Sequence, residues 1–527
     1  KFGVDFNYSN TPGKKTSVPL LPGGAALFSG LNLAALGLTG APPLTGLQAF
    51  DPSLRTPTQR GFLSVLATIL PNIVTGFPRG MPLADLPLPL TFVQGFGDPR
   101  LEVDTKYLSL FFQDDIKLKP NLLLKAGLRY DLNRVRFLPN NNGNFSPRLA
   151  LSYQPSRLSS LNLHASYGLF FSVPSSLLSF VTQPFFQEQS PTKFIFLPFP
   201  LSILPYQLPG HRYPESTELP PGVRFVPQFS RVMQIEAGLR NTYAQHVSTG
   251  IDYSIGDSTT LSANYSFVRG IKIIGQRNIN TVIRPVPGSP LTSQMIGRID
   301  PTRGDIIQFE SAYDSYYHGI TFSFVHRFNK GINLLASYTC SKAIDNFTDP
   351  RNDIGSPSDP QRPAAERSLS LQDVRNRAVI SGIYDLNLTT NRWLRDFQLS
   401  TIIRLESGRP YNLLAGVDLN MDGDTPINDR PLGLGRNVGV LPGFASVDLR
   451  LTRKISFLDH YQLQAFVEVF NLFNRVNISQ IDNIFPPDGN GRFNLPAKNG
   501  DRFIAPRERF RGAFAPRQFQ IGMRLSF

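Results

Sequence analysis

The feature that most constrains this chain is a two-residue hydrophobic period that returns along nearly all of its length. It is plainest in the last stretch, Arg517 to Phe527, RQFQIGMRLSF. Phe519, Ile521, Met523, Leu525 and Phe527 share one face, while Gln518, Gln520, Gly522, Arg524 and Ser526 share the other. Side chains alternate across a strand, so this segment reads as a β-strand with one apolar and one polar face. Its length is also roughly the 9–11 residues that carry a tilted strand across a bilayer. Taken alone, it would equally suit a soluble sandwich.

The repeats decide between the two. Phe2, Val4, Phe6 and Tyr8 alternate with polar residues in a first strand, followed by a long non-periodic segment from Thr11 to about Asp104. Alternation resumes in Lys106–Leu118 and Leu122–Asp131, joined by the turn signal Pro120-Asn121. It recurs in Phe145–Tyr153, Leu161–Leu169, Val247–Ile255, Leu261–Phe267, Gly319–Phe328 and Ile332–Tyr338. Ala378–Leu386, Phe397–Leu405, Val447–Leu451 and Leu463–Val469 continue it. Arg231–Leu239 also alternates, but a strand there would set two short turns in a row, so it is read as loop.

The connections run short, long, short, long. A sandwich has no reason to collect its long loops at one end, whereas an outer-membrane barrel does. Open sheet edges cannot face lipid, so strands of this kind close into a barrel. The expected fold is all-β: a transmembrane antiparallel β-barrel of outer-membrane type, with about fourteen strands in this chain. Its setting would be the lipid and lipopolysaccharide of the cell outer membrane. The last strand would run inward.

Composition agrees with this and excludes alternatives. No run of about 18 apolar residues occurs, so helical spans are not expected. The most apolar region, Leu20 to Leu47, is broken by Pro22, Gly23, Gly24, Gly30, Gly37, Gly40, Pro42 and Pro43. The single Cys340 rules out internal disulfides and Cys-based zinc sites. A net charge of +14 suits an anionic surface, but Lys and Arg are scattered with no dense basic run, so nucleic-acid binding is not expected.

Several motifs resemble the barrel of TonB-dependent receptors, particularly the Oar-like group. They are LFFQDDIKL and LLLKAGLRYD (Leu110–Asp131), FSPRLALSY (Phe145–Tyr153), SYTCSKAID (Ser337–Asp345), ESGRPY (Glu406–Tyr411), VFNLFNRVN (Val469–Asn477) and the terminal Phe527. The resemblance covers nearly all of the chain, least of all the long loops. It implies uptake of a bulky or scarce solute, with loops capturing it and a plug domain coupling release to the TonB complex. Such barrels hold about 22 strands. The chain is therefore expected to be a barrel portion without the plug, the carboxypeptidase-regulatory-like domain and roughly the first eight strands. A smaller plugless barrel is the alternative. The resemblance also makes Phe527 the signal read by the barrel-assembly machinery.

Candidate sites are few. DLNMDGDTPIND has calcium-loop spacing, with Asp418, Asn420, Asp422 and Asp424 at positions 1, 3, 5 and 7 and Asp429 at position 12. Its last ligand is a short Asp and its flanks are strands, so an ordinary polar turn is the competing reading. Apart from this structural calcium, no cofactor is expected. Lumen-facing Arg129, Asp131, His164, Arg404, Glu406, Asp448, Arg450, Glu468 and Arg524 could hold a solute or simply form a salt-bridged interior. The clusters Phe185-Phe186 and Phe194 to Tyr206 could capture an apolar or glycan ligand, or pack internally. No GxSxG, HExxH or P-loop occurs and the six His residues do not cluster, so an enzyme is not expected.

Overall fold

The structure is a computed structural model. It describes residues 1–11, 24–33, 38–73, 77–97, 103–136, 138–173, 178, 192–203, 231–280, 299–300, 302–328, 331–346, 357–386, 396–416, 429–431, 433–457, 461–488 and 492–526.

Among the described residues its main sheet has 16 strands, two of them off the path, and the rest follow one another in chain order. We number these β1 (Phe2–Thr11), β2 (Val103–Lys119), β3 (Leu122–Val135), β4 (Phe145–Tyr153) and β5 (Leu161–Phe171). β6 (Tyr243–Ile255), β7 (Thr259–Asn278), β8 (Asp305–Phe328), β9 (Ile332–Asp345) and β10 (Asn376–Leu386) come next. β11 (Phe397–Glu406), β12 (Phe444–Phe457), β13 (Tyr461–Phe470) and β14 (Gln518–Ser526) complete the series. Every neighbouring pair on this path is antiparallel, and each strand corresponds to one of the segments read from the alternation.

The faces fall as a membrane wall requires. Phe2 and Phe112 sit opposite each other and are 87% and 60% exposed, and Phe519, Ile521 and Met523 on β14 are 69%, 76% and 74% exposed. Large side chains so exposed on a soluble protein would form an apolar patch that promotes association. On a barrel they form the band that meets lipid. Buried apolar residues lie instead in the loops and at the long-loop ends of strands.

Two departures from the sequence reading concern the long-loop end. Arg231–Ile235 is a strand, not loop, and it pairs in parallel with Asp305–Phe309. β7 and β8 run on past a bulge after Gly270 and stay paired as far as Asn278 and Ile307, so they rise above the wall as a ribbon. The extra strand joins that ribbon's edge and never enters the wall, so the alternation of short and long connections is kept.

The non-periodic segment after β1 contains the second departure. Its described parts build a lobe around a helix, Pro57–Ile73, whose Leu63, Leu66 and Leu70 pack with Leu33, Leu44, Leu83 and Leu88. Spacing of three and four residues puts the helix leucines on one face. Phe199, Leu201 and Ile203 join this core from the loop between β5 and β6. Arg55 anchors it: its buried guanidinium donates to the carbonyls of Gln48, Leu83, Ala84, Ala49 and Leu86. Burial lowers its pKa below the usual arginine value.

Candidate functional site at the long-loop end

The loops following β9, β11 and β13 fold together over the end of the wall. A second apolar core, made of Tyr411, Leu413, Phe485, Phe503 and Ala505, holds the loops after β11 and β13 together. A small sheet stitches the same segments, with Pro410–Tyr411 beside Gly439–Val440 and that pair beside Arg502–Ile504. The Tyr411 hydroxyl is buried with no hydrogen-bond partner among the described residues. Burial pushes its pKa up to about 12, with Arg509 acting in the opposite direction.

The asparagines of the NLFN run show why that motif is there. Asn471 and Asn474 both adopt left-handed backbone, with φ of 50°. Asparagine tolerates this region better than most residues because its side chain bonds locally. The Asn471 side-chain Oδ1 accepts from the Arg475 backbone amide at 3.0 Å, and the Asn474 Oδ1 accepts from the Arg517 backbone amide at 3.0 Å. The run thus turns the chain off β13 and fixes the entry to β14.

A buried ionic clamp ties two loops together. Glu366, 1% exposed, accepts two bonds of 2.8 Å from the Arg430 guanidinium. Arg436 donates to the Glu366 backbone carbonyl at 2.9 Å and to the Asp345 backbone carbonyl at 2.7 Å, and it also pairs with the Asp345 carboxylate. Asn437 follows in left-handed backbone and donates to the Leu369 carbonyl at 2.8 Å. Two arginines and two carboxylates offset each other, which removes most of the penalty of burying them.

Beneath this clamp lies a cavity of about 1240 Å³. Its wall comes from the long-loop ends of β9 to β14 and from the three loops, and includes Arg377, Arg404, Arg409, Glu406, Asp448 and Phe444. Arg377 pairs with Glu406 at 3.1 Å and Arg404 lies 3.8 Å from Asp448. Phe444 stands edge-on to Phe514, ring centres 5.4 Å apart, with the Arg404 guanidinium 5.3 Å from its centre. The chemistry on offer is reversible binding by arginines, amides and aromatic faces.

The lumen residues singled out in the sequence divide in two. Arg404, Glu406 and Asp448 meet at this cavity. Arg129 bonds Asp131 at 2.9 Å and Arg450 bonds Glu468 at 3.0 Å, which is the salt-bridged interior. His164 sits between Asp252 at 3.3 Å and Asn264 at 2.8 Å. Arg524 is exposed on β14, away from the cavity wall. Of the calcium loop, Asp429 is buried beside Arg430, while Asp418, Asn420, Asp422 and Asp424 lie outside the described residues. Phe527, Phe185 and Phe186 also lie outside them. In the stretch from Phe194 to Tyr206, Phe199, Leu201 and Ile203 are core, so internal packing accounts for those three. Arg409, Glu366, Arg430 and Arg436 were not anticipated. Their residue types carry no periodic signal, and only the folded loops bring them together.

Comparison with known proteins follows this geometry. Residues 133–433, more than half of the chain, match the family described as outer membrane beta barrel domain. No curated protein matches it. Among solved structures, the Escherichia coli outer membrane transporter YddB superposes with a TM-score of 0.51 at 12% identity, covering 83% of this chain and 46% of that one. Pseudomonas aeruginosa FpvA, bound to a ferric pyoverdine, gives 0.45 at 13% identity, covering 84% of this chain and 40% of that one. The FrpB iron transporter of Neisseria meningitidis gives 0.43 at 13% identity, covering 81% and 46%. The chain thus spans less than half the length of these solved transporters. At 12% identity the likeness to YddB carries the fold alone, and it agrees with the strand order, the apolar outer face and the family match. The chain belongs to the outer membrane β-barrel domain family and resides in the outer membrane.

Proposed function

We propose that the chain is the barrel of a TonB-dependent receptor that takes up a bulky or scarce solute. The observation that carries this reading is the cavity of about 1240 Å³, which three loops frame above the wall. Typical small-molecule pockets are about 300–1000 Å³, so this one suits a solute larger than a metabolite. A passive pore needs no built pocket at its mouth. The Oar-like motifs and the transporter fold of YddB support the same reading. In the whole protein, a plug would fill the lumen and rearrange when pulled by the TonB complex. The role is binding and passage, not catalysis.

The test is uptake by cells carrying the full-length gene or its deletion, screened against glycans, peptides and siderophores. The deletion should abolish high-affinity uptake of one solute class, and collapse of the inner-membrane proton gradient should do the same. Steady ion conductance by the full-length protein in planar bilayers, with uptake indifferent to the gradient, would favour a passive porin. Unchanged uptake together with lost surface adhesion would favour a structural barrel.

A further inference from the structure

We infer that the cavity binds a carboxylate-bearing solute through Arg409 and Arg404. This rests on the receptor reading and names the chemistry of its ligand. Among the described residues, three acidic side chains line the cavity, and all three are engaged. Asp345 pairs with Arg436 and Glu406 pairs with Arg377. Asp448 accepts from the Ser446 hydroxyl at 2.7 Å and the Asn471 amide at 2.8 Å.

The cations are less fully used. Arg404 is 42% exposed and makes only a long contact, 3.8 Å, to Asp448 Oδ2, while the two donors above go to Oδ1. Arg409 lines the cavity, is exposed, and its guanidinium has no hydrogen bond or ion pair among the described residues. The side-chain amides of Gln480 and Gln518 lie on the same wall, likewise without partners among the described residues. Among the described residues, the cavity therefore presents cationic and amide donors with no unengaged carboxylate to answer them. A guanidinium meets a carboxylate by two parallel N–H···O bonds, a geometry that lysine or a neutral amide cannot reproduce. Phe444 and Phe514 supply an apolar flank for the body of the ligand. The size of the cavity leaves room for several residues of an oligomer. A uronate-containing oligosaccharide and an acidic peptide present the same carboxylate, and probes can separate them.

The experiment is calorimetric titration of the full-length protein in detergent. The probes are oligogalacturonate and oligoglutamate, beside maltooligosaccharide and oligoglutamine of equal length. One carboxylated probe should bind about tenfold or more tightly than its neutral counterpart. Arg409→Gln and Arg404→Gln should each weaken it by about tenfold, while Arg60→Gln in the other lobe leaves it unchanged. The probe that binds identifies the source of the carboxylate. Binding of neither carboxylated probe, equal binding of the neutral ones, or wild-type binding by both arginine variants would overturn the inference. Charge-selective binding without uptake would contradict only the receptor reading. Uptake with charge-blind binding would contradict only this one.

Discussion

Replacing Glu366 by Gln should loosen the outer loops without unfolding the barrel. Glu366 is 1% exposed and holds Arg430, itself 11% exposed, by two bonds of 2.8 Å. Arg436, 4% exposed, also leans on this residue, so the substitution leaves one unmatched positive charge in a buried cluster. Breaking a buried pair in this way costs about 3–5 kcal/mol. That corresponds to an increase in the open population of these loops of roughly 10²–10⁴-fold. Hydrogen exchange over residues 357–369 and 433–441 reads it directly, because the Ser358 amide donates to the Glu366 carboxylate. The comparison is Arg377→Gln. Its pair with Glu406 is 54% exposed on the arginine side, so its loss should cost less than about 1 kcal/mol. Wild-type exchange in Glu366→Gln, or equal effects of the two variants, would refute the clamp.

Three other outcomes follow. Tyr411→Phe removes a buried hydroxyl with no partner among the described residues, so below pH 10 it should leave the loops as stable or slightly more so. Because burial raises this tyrosine to about 12, the wild-type loops should keep full stability below about 10 and lose it as pH rises through the folded value. Tyr411→Phe should lack that loss, and proteolysis at pH 9 and 11.5 checks it. Calcium added to the chelated full-length protein should protect the Asp418–Asp429 loop from protease if Asp418, Asn420, Asp422, Asp424 and Asp429 hold the ion, and unchanged melting and cleavage would exclude it. Phe527→Ala should impair insertion into the outer membrane, and normal insertion would remove Phe527 from that role.

The wall was legible in the sequence because each strand has two solvents, lipid and lumen, and the contrast is written every second residue. The terminal stretch shows this: Phe519, Ile521, Met523 and Leu525 face outward and pair with Val469, Val467, Ala465 and Leu463, as the alternation requires. The ribbon formed by β7, β8 and Arg231–Ile235 is a partial exception: Arg231–Ile235 does alternate, but it pairs with the extension of β8 and not with the wall, so the order of turns misplaces it. The helix Pro57–Ile73 was hidden for another reason. Its leucine face packs onto a proline- and glycine-rich surround that reads as irregular loop. The site was half legible. Arg404, Glu406 and Asp448 stood out as polar residues on wall strands, whereas Arg409 and the Glu366 clamp depend on contacts between loops far apart in sequence. ESGRPY carried a hint, because it holds both Arg409 and the buried Tyr411.

The central claim is that these strands cross the outer membrane with the long loops and their cavity outside. Single cysteines, placed in full-length protein carrying Cys340→Ser, test it most directly through a membrane-impermeant maleimide on intact cells. Arg409→Cys at the cavity and Arg60→Cys in the first lobe should label at once. Asp257→Cys, in the short turn between β6 and β7, should label only after the outer membrane is permeabilised. Labelling of Asp257→Cys on intact cells, with Arg409→Cys and Arg60→Cys protected, would contradict the account.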